Sequence, residues 1–360
     1  PILINGTTIN KTDLIRQKWL INDFYGTTFS ANYKEEKLNV IFGGGYNRYE
    51  GDHFGRIIWA RYASKSELDD RFYDDSASKT DGNVFAKANY QITEKLNLFG
   101  DLQLRNVSYK ADSAEAGLVN DSFNFFNPKA GLNYEINANN ALYFSYARAN
   151  REPNRSDYEN GSPRPEKLND FELGLRHVDS KVKLNANIYY MAYKDQLIVT
   201  GALDDVGAPI RENSGDSYRL GVELDATISI LDNLFIRPNV TVSTNKNKDF
   251  FFKRDGVLTS LGNTNIAFSP DFIAGNIVSF VPMTNLQISF LSKFVGEQYM
   301  ANIDAKGSKL KSYFTNDLNV SYEIIPKSVF KSIYLSALVN NIFDYKYISN
   351  GFFYTYDDDY

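Results

Sequence analysis

Reactive side chains are scarce in this sequence. Its 360 residues hold two histidines and no cysteine. His53 lies in Gly51-Asp52-His53-Phe54-Gly55, a setting that suits a loop. His177 follows Phe171, Leu173 and Leu175 in an alternating apolar row, with no candidate nucleophile beside it. Acid–base and covalent catalysis need a base within reach of an acid or nucleophile. No nucleophile elbow, P-loop or paired-histidine metal motif is present, so no enzyme and no cofactor are expected. The lack of cysteine excludes thiolate chemistry and disulfides. Asp69-Asp70, Asp74-Asp75 and Asp357-Asp358-Asp359 offer oxygens that could hold Ca²⁺, but their spacing matches no EF-hand loop and reads as solvated acidic loop. The formal net charge is −5 with no basic block, which argues against nucleic acid as a partner.

The elements around these residues are better defined. From Ser217 to Asn245, Leu220, Val222, Leu224, Ala226, Ile228 and Ile230 alternate with Arg219, Glu223, Asp225, Thr227 and Ser229. After Leu231-Asp232-Asn233, a second arm sets Leu234, Ile236, Val240 and Val242 against Arg237, Asn239, Thr241 and Ser243. Alternation means a strand with two unlike faces, and so short a link forces antiparallel pairing. The arms are about twice the usual strand length, which suits a tilted bilayer crossing of roughly 9–11 residues. Pro238 falls on the apolar face and cannot donate to a ladder, so a bulge or bend is expected there. No apolar run approaches the ~18 residues of a membrane helix.

The same rule runs through the chain from Thr27. Short turns at 34–37, 91–95, 135–140, 178–181, 281–285 and 324–331 join paired strands. Longer links, such as Glu50–Asn83, Lys110–Asn127, Ala149–Asn169 and Asp195–Asp216, separate the hairpins and are read as loops. Short and long links alternate, which puts all short turns at one end of an up-and-down sheet. Outer-membrane barrels show this asymmetry. Tyr33, Tyr90, Tyr134 and Tyr322 each close a strand at the short-turn end, as an interfacial aromatic ring would. The fold expected is all-β: an antiparallel up-and-down transmembrane β-barrel of about 14–15 strands. Its apolar rows face lipid. Its polar row, with Asp101, Arg105, Arg176, Glu223, Asp225 and Arg237, faces the lumen.

Three stretches resemble the barrel of TonB-dependent outer-membrane receptors. Tyr143-Phe144-Ser145-Tyr146-Ala147-Arg148 followed by Arg151-Glu152-Pro153-Asn154 is similar to the family's aromatic-Ser-aromatic strand end and R-x-P. Pro165 to Gly174 is similar to its P-E-x-x-x-x-(Y/F)-E-L-G. Leu338 to Tyr347 is similar to its N-L-(F/L)-D-x-x-Y. The resemblance implies a bacterial outer-membrane location, lipid and lipopolysaccharide around the barrel, and a plug domain that engages a TonB complex. It implies active import of a scarce nutrient such as an iron–siderophore chelate, haem or cobalamin. Residues 1–360 are then expected to form part of one barrel domain of about 22 strands, with the plug and the final strand lying outside them. Ligand contacts are expected from external loops: Tyr49, His53, Arg56, Tyr62, Phe72, Tyr73, Tyr158, Phe250, Phe251, Phe252, Tyr299 and Tyr354, since aromatics with an occasional arginine suit a planar anionic chelate. The competing reading is a passive porin-like channel, and a soluble all-β binding protein is a third.

Overall fold

The computed structural model describes residues 2–4, 7–62, 67, 69–159, 161–203, 209–254, 257–326 and 329–353. A small hairpin, β1 (Ile2–Ile4) and β2 (Thr7–Ile9), precedes the main sheet. Then come β3 (Leu14–Lys34), β4 (Leu38–Ala60), β5 (Arg71–Gln91), β6 (Leu96–Ser113) and β7 (Gly117–Asn137). They are followed by β8 (Asn140–Arg151), α1 (Arg155–Tyr158), β9 (Glu166–Val178) and β10 (Val182–Lys194). A hairpin of β11 (Leu197–Leu203) and β12 (Pro209–Asn213) rises before β13 (Asp216–Leu231), β14 (Leu234–Arg254) and β15 (Val257–Asn265). The rest is β16 (Phe272–Met283), β17 (Leu286–Val295), the short pair β18 (Gln298–Tyr299) and β19 (Lys309–Leu310), β20 (Tyr313–Ile324) and β21 (Ile333–Val339).

One antiparallel sheet carries the fold. Its order follows the sequence, β3 through β10, then β13, β14, β16, β17, β20 and β21, with β15 added beside β14. Through the middle of the sheet, register places one set of side chains on each face, with slips confined to strand ends such as Ile15/Arg16 and Gly55/Arg56. On one face Leu102, Leu104, Leu173, Val222, Leu224 and Val242 are exposed. On the other, Asp101 and Asn127 are buried. The face that shows its apolar residues to the surroundings is the outer, lipid-facing one. Tyr33, Tyr90, Tyr134 and Tyr322 are all exposed on it beside their turns.

A second aromatic ring, not anticipated in the sequence, closes the apolar band at its other end. Tyr146 and Phe171 lie 5.0 Å apart between centroids, Tyr190 and Tyr218 6.2 Å, and Phe272 and Phe294 5.6 Å. The eight steps from Phe314 to Tyr322 on β20 span roughly 26 Å at about 3.3 Å per residue, close to the height of a lipid-facing band.

Two expectations are corrected. The links Glu50–Asn83 and Lys110–Asn127 are mostly paired strand. Glu50 pairs with Ser78, and β6 meets β7 from Leu96 to Ser113, leaving only short links at 61–70 and 114–116. Their polar composition reflects water on both faces beyond the bilayer; the ladder itself needs only backbone partners. Pro238 makes no bulge. Pairing of β13 with β14 lapses opposite it, yet Leu224↔Val240 and Ile228↔Ile236 keep one register, and Pro238 itself stands opposite Asn276 on β16.

Candidate functional site

Beyond the outer aromatic ring, the inner faces of β3 to β7 continue for several residues and carry a set of charges. Arg105 on β6 is the centre of it. Its Nε and Nη2 donate to Asp81 on β5 at 2.6–3.1 Å, and its Nη1 and Nη2 donate to Glu152 at 2.8 and 2.9 Å. Lys79 Nζ adds a 2.6 Å bond to Glu152. Glu152 belongs to the link after β8, so this network holds that link against the inner wall. Asn154 caps α1 through a reciprocal box with Asp157, which fixes the direction of the turn. Tyr158 then stacks on Tyr109 at 5.5 Å, donates to Asp121 at 2.8 Å, and packs with Ala111 and Val119.

Glu152 is nearly buried, which pushes its carboxyl up. The hydrogen bonds from Arg105 and Lys79 outweigh that and hold it at about 2. A depressed carboxylate stabilises the docked link fully above its ordinary pKa near 4.5 and loses that contribution as pH falls through about 2. The shift corresponds to roughly 3 kcal/mol. The link should therefore stay protease-resistant at pH 5 and become cleavable progressively between pH 4.5 and 2, as followed by limited pepsin digestion.

Next to this network lies a cavity of about 580 Å³, lined by Arg16, Lys18, Trp19 and Leu20 of β3, His53 of β4, Phe72, Tyr73 and Asp75 of β5, and Ala114, Glu115, Arg155, Ser156 and Glu159. Arg155 Nη1 donates to His53 Nδ1 at 2.6 Å, and the same guanidinium meets Asp75 at 3.5 Å, Glu115 at 3.6 Å and Glu159 at 3.3 Å. Burial, then the positive charge of Arg155, lowers the His53 pKa below its ordinary value. The ring is therefore neutral at pH 7 with its proton on Nε2, which meets no hydrogen-bond partner among the described residues. On the opposite wall Arg16 lies 5.3 Å over the Phe72 ring, and neither Arg16 nor Lys18 has a carboxylate partner among the described residues. Phe72 and Tyr73 meet edge to face at 5.0 Å. Free donors beside aromatic faces can take an anion with a flat surface.

The structure brings His53, Phe72 and Tyr73 together here, on strands and not in loops. Tyr49 donates to Asn22 at 2.7 Å one turn of the ladder away. Arg56 and Arg71 both lie over Phe54, at 5.1 and 3.7 Å. Tyr62 accepts no role in the cavity; its backbone is held by Thr12 at 2.9 Å. Tyr158 is committed to the packing just described. Phe250 and Phe252 belong to a separate cluster with Ile198, Ile266 and Ile303, while Phe251 is exposed. Asn302 ties that cluster together, accepting from Ala267 N at 2.8 Å and donating to the carbonyl of Val199. Tyr299 sits at its edge under Lys309, at 5.8 Å. Tyr354 and Asp357-Asp358-Asp359 lie outside the described residues. Among the described residues no group of His, Asp and Glu side chains is arranged to hold a metal ion.

Lower on the inner face, Asp101 meets Lys87 at 3.9 Å, and Arg176 lies 4.7 Å over Tyr143. Tyr143 itself lies flat across Gly174, where a Cβ would come within 2.1 Å of the ring. Asp225 accepts from Asn185 at 3.2 Å. Glu223 and Arg237 are exposed on the same inner face, opposite Thr241 and Ile277. Sequence reading missed Arg16, Lys18, Trp19 and Arg155, because β3 was not legible upstream of Thr27 and α1 reaches the cavity only through the fold.

A long antiparallel wall with an outer apolar band, two aromatic rings and a charged inner face defines an outer-membrane β-barrel. The model of the family described as TonB dependent receptor-like, beta-barrel, matches residues 4–342, and the chain belongs to that family, whose members are transport receptors of the outer membrane and not enzymes. Among solved structures it is similar to the siderophore receptor PiuA from Acinetobacter baumannii (18% identity, TM-score 0.69, 92% of this chain and 53% of that one). It is also similar to the copper transporter OprC (18%, 0.73, 92% and 52%) and to the ferric citrate transporter FecA in its unliganded form (18%, 0.67, 96% and 52%). The chain thus spans about half the length of these structures. A search of curated proteins by sequence found no match.

Proposed function

We propose that this chain is the barrel wall of a receptor that actively imports a scarce nutrient carried as a metal chelate. An iron–siderophore complex fits best, with haem and cobalamin as chemically related alternatives. The observation that carries the reading is the cavity between β3, β4, β5 and α1. Arg16, Lys18 and the Nε2–H of His53 supply donors for an anionic chelate, and Trp19, Phe72 and Tyr73 supply flat apolar contact. Asp101, Arg176, Glu223, Asp225 and Arg237 would grip a plug domain contributed by sequence outside residues 1–360, and that plug would couple to a TonB complex.

The test uses the receptor that carries this chain in cells grown with and without iron. Uptake of radiolabelled ferric siderophores is measured against haem and cobalamin. Arg16→Ala combined with Phe72→Ala should weaken binding of the imported chelate at least about tenfold, since a lost charge-assisted bond and a lost aromatic contact together exceed ~1.4 kcal/mol. Unchanged binding in that variant would move the site elsewhere. Import that continues without TonB would favour a passive channel.

A further inference from the structure

The cavity between β3, β4, β5 and α1 is electrically divided. Three basic and three acidic side chains line it, Arg16, Lys18 and Arg155 against Asp75, Glu115 and Glu159. They are not mixed. All three carboxylates gather around one guanidinium: Arg155 Nη2 lies 3.5 Å from Asp75 and 3.6 Å from Glu115, and its Nε lies 3.3 Å from Glu159. Asp75 is held a second time, by the backbone N–H of Ala114, which donates to it at 3.1 Å. On the opposite wall Arg16 and Lys18 have no carboxylate partner among the described residues, and Arg16 rests over Phe72.

The remaining nitrogen of Arg155 sets the state of His53. Nη1 meets His53 Nδ1 at 2.6 Å. A guanidinium only donates, so Nδ1 accepts and the ring proton sits on Nε2. His53 stands opposite Leu20 on β3 and Asp75 on β5. Its Nε2 is buried and meets no partner among the described residues. A buried donor left in that way costs stability until an acceptor reaches it. The three guanidinium nitrogens of Arg155 are all engaged within the wall, and none is directed to a ligand.

We infer that Arg155 is the specificity-determining residue of this cavity, a positioning residue that makes it select an anionic, acceptor-rich ligand without touching that ligand. It acts in two ways. It balances the three carboxylates, so that the charges of Arg16 and Lys18 are what an entering anion meets. It also fixes His53 as a donor. Without Arg155, three carboxylates face two cations, and His53 is released to the tautomer that offers a bare nitrogen to an acceptor. The lost balance acts against an anion and leaves an uncharged ligand of similar size nearly unaffected. Arg155 arrives on α1, so the cavity has this preference only while Arg105 and Tyr158 hold the 152–159 link in place. The inference rests on the cavity being the chelate site and names the residue that sets its charge preference.

The experiment uses the receptor that carries this chain, in nanodiscs, with two ferric probes of similar size. One is a hexadentate tris-catecholate complex, which is trianionic; the other is a hexadentate tris-hydroxamate complex, which is uncharged. Binding is measured by calorimetry. The wild-type protein should bind the trianionic complex more tightly. Arg155→Met should weaken that binding at least about tenfold and change binding of the uncharged complex by less than about twofold, because like charges across a contact disfavour association. Arg155→Lys should recover most of the loss, since an ammonium still balances the carboxylates and donates to Nδ1. Glu115→Gln, at a side chain that is 57% exposed, removes one carboxylate without disturbing α1 and should strengthen the trianionic complex several-fold. Independently of any ligand, NMR spectra of the receptor with isotope-labelled histidine should show His53 protonated at Nε2 alone in the wild type and as a mixture of tautomers in Arg155→Met, the signal being assigned by its loss in His53→Gln. An unchanged preference between the two complexes in Arg155→Met, or an unchanged tautomer, would overturn the role of Arg155 and leave the cavity as the chelate site. Wild-type protein that binds neither complex, or that binds the trianionic one equally well after Arg16→Ala with Phe72→Ala, would instead overturn the cavity reading and this inference with it.

Discussion

Replacing Leu224 with arginine should destabilise the inserted barrel by about 2–4 kcal/mol. Leu224 is exposed on the outer face of β13, four residues from Leu220 at the height of the outer ring and seven from the turn at Leu231. That position is close to the middle of the apolar band, where a guanidinium has neither water nor a partner. Thr227 lies on the other face of the same strand, in the row of Glu223 and Asp225, and Thr227→Arg should change stability by less than ~0.5 kcal/mol, as surface substitutions do. The two variants differ only in which way one side chain points, so urea titration in vesicles isolates facing from strand propensity. Equal effects would show that β13 does not separate lipid from an aqueous interior.

The second large effect is expected at Arg105. Its side chain is about one-fifth exposed and bonds two carboxylates, Asp81 and Glu152, that are 15% and 8% exposed. Arg105→Met keeps volume and removes the charge, leaving those carboxylates uncompensated. Breaking a buried pair from one side costs about 3–5 kcal/mol. Lys79 keeps its own bond to Glu152, so the low end applies. The expected result is release of the 152–159 link, read as new trypsin cleavage after Arg151 or Arg155 with the barrel still heat-modifiable. Arg105→Lys should restore part of the protection, because one charge returns without the fork that spans both carboxylates. A variant as resistant as wild type would mean that Tyr158 packing alone docks the link.

Much of the wall was legible because a strand between lipid and lumen must alternate. Leu220 to Ile230 and Leu234 to Val242 could be paired by eye, and the short turns fixed the direction of every hairpin. The upper wall was not legible for the complementary reason. Beyond the bilayer both faces of β4 and β5 are wet, the alternation disappears, and only the ladder partner across 28 residues, Glu50 to Ser78, marks the strand. The second aromatic ring escaped notice because its members come from different strands at unequal distances from their turns. Pro238 misled because its missing donor was judged without its neighbours; the pairing with β13 lapses there and the register does not move. At the site, His53, Phe72 and Tyr73 stood out by residue type. Arg155, which touches His53 across 102 positions of sequence, carried no local signal.

This sheet stands in a bilayer with the even-numbered residues of β13 from Leu220 to Ile230 turned to lipid. The sequence has no cysteine, so single cysteines can be placed in turn at each position from Leu220 to Ile230 and spin-labelled without background. Collision with oxygen and with a water-soluble nickel chelate is then measured for the receptor in outer-membrane vesicles. Oxygen accessibility should peak at 220, 222, 224, 226, 228 and 230, and nickel accessibility at the positions between them. A nickel maximum at the even positions, or no period of two, would contradict the account.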